Sequence, residues 1–199
     1  MHIDAGFEKI SQYKDDEAIL IPVRKTTGSA GYDFYVAEDT VIPSYSSSIE
    51  ADFANQLAGD LSKYYGSFED FVKSLPYDLE TTATLVKKYG HKVTLVPTGV
   101  KAYMPKDWYL QLSVRSSLPL KHWLIMANGV GIIDSDYYDN PDNEGHIYFQ
   151  LINLLPFDII LKKGDCIGQG IFLQYGETKD DNTEGVREGG FGSTDSATE

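Results

Sequence analysis

At 199 residues the chain has room for one well-buried domain with a modest insertion. With 17 Lys and Arg against 30 Asp and Glu the net charge is −13, which argues against a nucleic-acid polymer as partner, because affinity for a phosphate backbone rests on clustered basic residues. The apolar share is 42%, and no run of eighteen apolar residues exists to span a bilayer, so no membrane partner is expected.

In chain order, the opening MHIDAGFEKISQYKD is polar and acidic where a secretory leader would be basic and then apolar. Residues 19–49 carry short β-prone runs, Ile19–Val23, Tyr32–Ala37 and Thr40–Ile42, punctuated by Pro22, Gly28, Gly31 and Pro43. Residues 50–90 change period. Phe53, Leu57, Leu61 and Tyr64 recur every three or four residues, as do Phe68, Phe71, Val72 and Leu75, and Ser67 with Asp70 suits a helix start. Pro76 breaks the pattern before a third short helix over Leu79–Tyr89. This reads as a helical insertion packing on a sheet or on a neighbouring subunit.

From Lys92 to Leu173 the strand pattern returns, in Lys92–Val96, Val100–Tyr103, Tyr109–Val114, Ile147–Leu151 and Asp158–Leu161. Many short strands with turn residues between them predict an all-β antiparallel sandwich or barrel. After Gly176 the chain is rich in Gly, Asp, Thr, Ser and Glu and nearly empty of apolar residues, as in a flexible arm. Phe191 is a lone large aromatic there and suggests docking. The expected organisation is one β domain over 1–175, interrupted at 50–90, and an arm over 176–199. Cys166 is the sole cysteine, which excludes an intramolecular disulfide and a thiolate zinc site and fits a cytoplasmic location. The histidines, His2, His91, His122 and His146, show no ligand spacing and read as scattered surface positions.

Several residues invite chemistry on their own terms. Arg115, Ser116 and Ser117 offer a guanidinium fork and two hydroxyls suited to phosphate oxygens, and read as readily as a surface Arg with two turn serines. Asn128-Gly-Val-Gly is a tight turn between two apolar strands. Its backbone, through Gly131, can approach a planar base, although an ordinary hairpin has the same pattern. Asp134 follows Ile132 and Ile133, so partial burial would raise its pKa while a nearby metal ion would lower it. It is placed to deprotonate a water. Asp33 sits in a turn before a strand, and the Gln169 amide can donate to a phosphate oxygen or face solvent.

Five segments stand in order: GSAGYDF (28–34), SVRSSLPLKHW (113–123), NGVGIIDSDY (128–137), KGDCIGQGIF (163–172) and VREGGFGST (186–194). Together they resemble the five ordered motifs of the trimeric dUTP pyrophosphatase (dUTPase) family, of bacterial or phage type with a helical insertion. The resemblance covers nearly the whole chain outside 50–90. It implies a jelly-roll-like β-clip fold and hydrolysis of dUTP to dUMP and pyrophosphate with Mg²⁺. Such an enzyme limits uracil in DNA and supplies dUMP for dTMP synthesis. The resemblance makes Asp134 the catalytic base and puts Asp33 near Asp134 and the metal, reaching the ion through water. Asp136 is then a solvated neighbour. Arg115, Ser116, Ser117 and Gln169 fall to the phosphates, Asn128 and Gly131 to uracil, and the Tyr137 ring to the deoxyribose, where it excludes a 2′-hydroxyl. The arm closes over the nucleotide with Phe191 on uracil, Arg187 on the terminal phosphate, and Gly192, Ser193 and Thr194 beside them. A homotrimer with shared sites follows: hairpin from one subunit, the RSS segment from a second, arm from a third.

Four departures from the family pattern stand out. Cys166 replaces a usual Arg, Arg187 to Phe191 is one residue short, DNPDNEGH (139–146) is longer than the usual turn, and 50–90 is extra. No Walker loop occurs, so Mg²⁺ would be held by the triphosphate and waters. The enzymatic rival is dCTP deamination, which shares the fold but needs a Glu where Gln150 stands. A regulatory role, with a protein partner docking on 50–90, is the reading from another class.

Overall fold

The computed structural model describes residues 2–44, 93–185, 187, 189 and 190. The expected helical insertion at 50–90, and Phe191, Gly192, Ser193 and Thr194 of the arm, lie outside the described residues. The elements run β1 (Gly6–Lys9), a 3-10 turn (Ser11–Tyr13), β2 (Tyr32–Tyr35), β3 (Thr40–Ile42), β4 (Thr94–Pro97), β5 (Val100–Tyr103) and β6 (Trp108–Val114). There follow α1 (Ser117–His122), β7 (Leu124–Met126), β8 (Gly131–Asp134), a second 3-10 turn (Ser135–Tyr137), β9 (Tyr148–Asn153), β10 (Ile159–Leu161) and β11 (Cys166–Gln174). No helix among the described residues is long and apolar enough to cross a membrane.

Among the described residues every pairing is antiparallel, and the strands form separate sheets around one core rather than a closed barrel. Two sheets matter for the site. One has the order β2-β11-β6-β8 and the other β4-β9-β7; β1-β5 and β10-β3 make two-stranded flanks. Side-chain alternation explains the burial. In β9, Phe149, Leu151 and Asn153 point inward while Tyr148, Gln150 and Ile152 are only half-buried. Leu110 and Leu112 of β6, Phe34 of β2 and Ile167 of β11 join the same apolar cluster. At about 25 cal/mol per Å² of apolar surface, such fully buried Phe and Leu side chains each contribute on the order of 2 kcal/mol.

The strand pattern holds with local corrections. Thr40–Ile42 and Val100–Tyr103 are found as expected, and other boundaries shift by a residue or two. Ile19–Val23 is no strand. Pro22 has no N–H to give, and only Val23 makes a bridge, its carbonyl accepting the Asp33 N–H at 2.9 Å. β1 and α1 went unanticipated.

Candidate active site

The hairpin from β7 to β8 steps from one of the two larger sheets to the other. At its tip Gly129 has φ 71°, a left-handed conformation that a side chain would disfavour, and the Val130 N–H donates to the Asn128 carbonyl at 2.8 Å. In the corner between the sheets lies a cleft of about 210 Å³. Asn128, Gly131, Asp134, Tyr137 and Arg187 line it, with His146, Tyr148 and Gln150 from the start of β9. The hairpin, the expected base and the expected sugar-packing ring thus share one cavity. Asp134 ends β8 opposite Tyr109, and its side chain is 49% exposed, so the partial burial expected for it is slight.

Tyr137 is buried, at 6% exposure. Its hydroxyl donates to the His146 carbonyl at 3.1 Å and accepts from Asn143 Nδ2 at 2.8 Å. Burial pushes its phenol above the ordinary tyrosine range, against a smaller opposite pull from the Asn143 bond. His146 is 3% exposed, which corrects the surface position expected for it. Its Nε2 accepts the Gly99 N–H at 2.9 Å, so a neutral ring carries its proton on Nδ1. Burial holds its pKa down at about 4, although Glu38 and Glu144 pull the other way.

Arg187 reaches the cleft from its own chain's arm. Its Nη2 pairs with Asp134 Oδ2 at 2.5 Å and its Nε with Asp136 Oδ1 at 2.7 Å. The guanidinium carbon lies 5.9 Å from the centre of the Tyr137 ring, and Gly190 packs against the same ring. Residues 176–185 before it are exposed. Asp136 is therefore paired with a cation, not merely solvated.

A second pocket, of about 270 Å³, gathers Lys25, Ser29, Gly31, Asp33, Arg115, Ser116 and Gln169. Period-two alternation explains the Gly-Gln-Gly of β11. Gly168 and Gly170 face the core rings of Phe149 and Phe34, and Gln169 between them turns outward. Gly31 clears the way, since a Cβ there would stand 2.5 Å from Gln169 Oε1. Ser117 does not join Ser116; it lines a neighbouring recess with Arg115, His122 and Cys166. Burial, then the nearby Asp33 carboxylate, push the Cys166 thiol pKa up.

The two pockets share no lining residue. Asp33 pairs with Gln169, which faces Ser113, whereas Asp134 lies beyond β6 opposite Tyr109. Sheet spacings put the two carboxylates roughly 20 Å apart at their backbones. Within one chain Asp33 and Asp134 therefore do not meet. Lys25, His146 and Tyr148 were not singled out from the sequence. The alternation of His146–Leu151 was the available signal for Tyr148 and Gln150, because Phe149 and Leu151 claim the other face.

A family profile described as dUTPase matches residues 73–195. The deoxyuridine 5'-triphosphate nucleotidohydrolase of Lactococcus lactis is 42% identical over 125 residues, which cover 61% of this chain and 81% of that one. The same-named protein of Rickettsia canadensis is 36% identical over 143 residues, or 67% and 92% of the two chains. The crystal structure of the Streptococcus mutans dUTPase superposes with a TM-score of 0.62 at 34% identity, covering 87% of this chain and 98% of that chain. A mutant dUTPase from phage phi11 of S. aureus, described with a structural Mg(II) ion, shares the fold at 14% identity and a TM-score of 0.55, over 91% and 97% of the chains.

Proposed function

Since the chain belongs to the dUTPase family and hydrolyses dUTP to dUMP, we propose that it does so with Mg²⁺ and with Asp134 as the base. Asp134 takes a proton from a water whose oxygen attacks the α-phosphorus. The bond to the β-phosphate oxygen breaks, and pyrophosphate leaves with the electron pair. The hairpin at Asn128 and Gly131 reads uracil, and the Tyr137 ring lies against the deoxyribose. Arg115, Ser116 and Gln169 hold phosphate oxygens, Arg115 through its charged fork. One observation carries the reading: a single cleft joins the hairpin, Asp134, Tyr137 and Arg187.

The donor set suits the metal: in the phosphate pocket the Asp33 carboxylate would reach, through water, an ion held by triphosphate oxygens. When bound, Mg²⁺ offsets the phosphate charge that develops as pyrophosphate departs.

The separation of the two pockets supports a homotrimer in which the hairpin cleft of one subunit meets the phosphate pocket of a second, bringing Asp134 and Asp33 together. The β domain over 1–175 carries the phosphate pocket and the cleft apart from Arg187 and Gly190, and 176–199 closes the site with Phe191, Gly192 and Ser193, excluding water. In this scheme the Arg187–Asp134 pair opens before catalysis, and the terminal phosphate offers Arg187 its new partner. A cytoplasmic location suits the lone free cysteine.

The experiment is incubation with dUTP, dCTP, dTTP and UTP plus Mg²⁺, followed by product identification. Expected are dUMP and pyrophosphate, from dUTP alone. Ammonia released from dCTP would overturn this reading, although Gln150 in the cleft offers no carboxylate to shuttle that proton.

A further inference from the structure

Resting on the reading that the Tyr137 ring excludes a ribose, we propose that Asn143 is a positioning residue for sugar selection, fixing the far end of that ring through its hydroxyl. A steric filter discriminates only if it resists being pushed. One extra oxygen on the ligand is accommodated once an aromatic ring shifts by a fraction of an ångström or tilts about its broad outer torsion. Two bonds hold the Tyr137 hydroxyl, one to the His146 carbonyl at 3.1 Å and one from Asn143 Nδ2 at 2.8 Å.

The Asn143 amide has only one orientation that works. Its Oδ1 accepts the Gly145 N–H at 3.0 Å and Asn140 Nδ2 at 2.8 Å. Turning the amide over would set its NH₂ against two donors, so Nδ2 must face the tyrosine. Asn140, itself buried, ties the backbone of the same residue by donating to the Tyr137 carbonyl at 2.8 Å. Its Oδ1 accepts the N–H groups of Asp142 and Asn143.

The loop that carries these groups is braced at both ends. Glu144 accepts from the Ser11 hydroxyl at 2.7 Å and from the Ser11 N–H at 3.0 Å. Asp139 pairs with Lys101. Asp139 and Glu144 sit at φ 54° and 60°, a left-handed backbone that non-glycine residues adopt only where the surroundings impose it. Asn143 does not line the cleft, so it acts through Tyr137 alone. The segment 139–146, longer than the family's usual turn, is on this account a brace for a selective ring.

The test measures kcat and KM for dUTP and for UTP in the full-length wild type, Asn143→Ala, Tyr137→Phe, the double variant and Tyr137→Ala. The preference for dUTP, as a ratio of kcat/KM values, should fall about threefold to tenfold in Asn143→Ala, the scale of one or two lost hydrogen bonds. The gain should come on UTP, while kcat on dUTP stays within about twofold. Tyr137→Phe keeps the ring and removes both bonds, so it should fall as far. The double variant should fall no further than Tyr137→Phe, because the two substitutions cut one link. An unchanged preference in Asn143→Ala and Tyr137→Phe, alongside a lowered one in Tyr137→Ala, overturns the proposal while leaving the ring's role intact. Equal losses on both nucleotides, tracking a lowered Tm, overturn it as well. An unchanged preference in Tyr137→Ala would remove the reading on which it rests.

Discussion

In the hairpin cleft the selecting ring is buried and tied at its outer end, and the imidazole beside it takes a backbone N–H. In the phosphate pocket Arg115 and Ser116 are exposed, and that pocket opens at the start of α1. The contrast follows from what each has to recognise. A neutral base and sugar are read by shape and by directional bonds, which demand walls that stay put. Phosphates are held by charge, which acts at longer range and tolerates side chains that settle only when the ligand arrives.

The sharpest break in this comparison comes from Asp134→Asn, which keeps size but cannot take a proton. Turnover should fall about 10²–10⁴-fold in a pyrophosphate-release assay while nucleotide binding persists. Turnover within a few-fold of wild type would remove Asp134 from the mechanism.

The buried cleft should also be the acid-sensitive part. In the folded chain His146 titrates at about 4, against an ordinary 6.5. Above pH 6.5 both states are neutral and the contribution is complete. As pH falls from 6.5 towards 4 the unfolded chain binds a proton that the folded site refuses, and stability drops by up to about 3 kcal/mol. Thermal melting across that window should slope less steeply in His146→Gln. Equal slopes would place the acid sensitivity elsewhere.

On the phosphate side, Arg115→Ala should raise KM for dUTP and UTP alike by about 10- to 100-fold, the scale of charge-assisted bonds. A change in the dUTP preference itself would blur the division between the two pockets. The smallest expected effect is on stability in Arg187→Ala. The pair it makes involves a half-exposed Asp134, so equilibrium unfolding in urea should move by less than about 1 kcal/mol.

Much of the architecture was legible because period-two alternation and glycine punctuation are local signals. Val100–Tyr103 and the strand reaching Val114 needed nothing more. β1 was not legible: Gly6–Lys9 is too short to show a pattern, and its partner β5 lies over 90 residues away. Ile19–Val23 has strand composition, but Pro22 removes the donor that a ladder needs. Motif order put Arg187 with the phosphates and Ser117 beside Ser116, whereas Arg187 lines its own chain's cleft with Asn128, Gly131, Asp134 and Tyr137, and Ser117 lies outside the pocket of Arg115, Ser116 and Gln169. It could not show that Asp33 and Asp134 are separated, which depends on register across three strand pairings. Nor could it show that DNPDNEGH is a hydrogen-bonded brace, because those residue types suit a solvated loop equally well.

Keeping the two pockets apart on one chain has a genetic consequence under the shared-site reading. Damage to the hairpin half and damage to the phosphate half are then complementing lesions. A subunit carrying Asp134→Asn still lends an intact phosphate pocket to its neighbour, and a subunit carrying Arg115→Ala still lends an intact cleft. The two impaired proteins, unfolded together and refolded as a mixture, would assemble some whole sites between them and regain part of the wild-type rate at low dUTP, whereas either one refolded alone would keep its own defect.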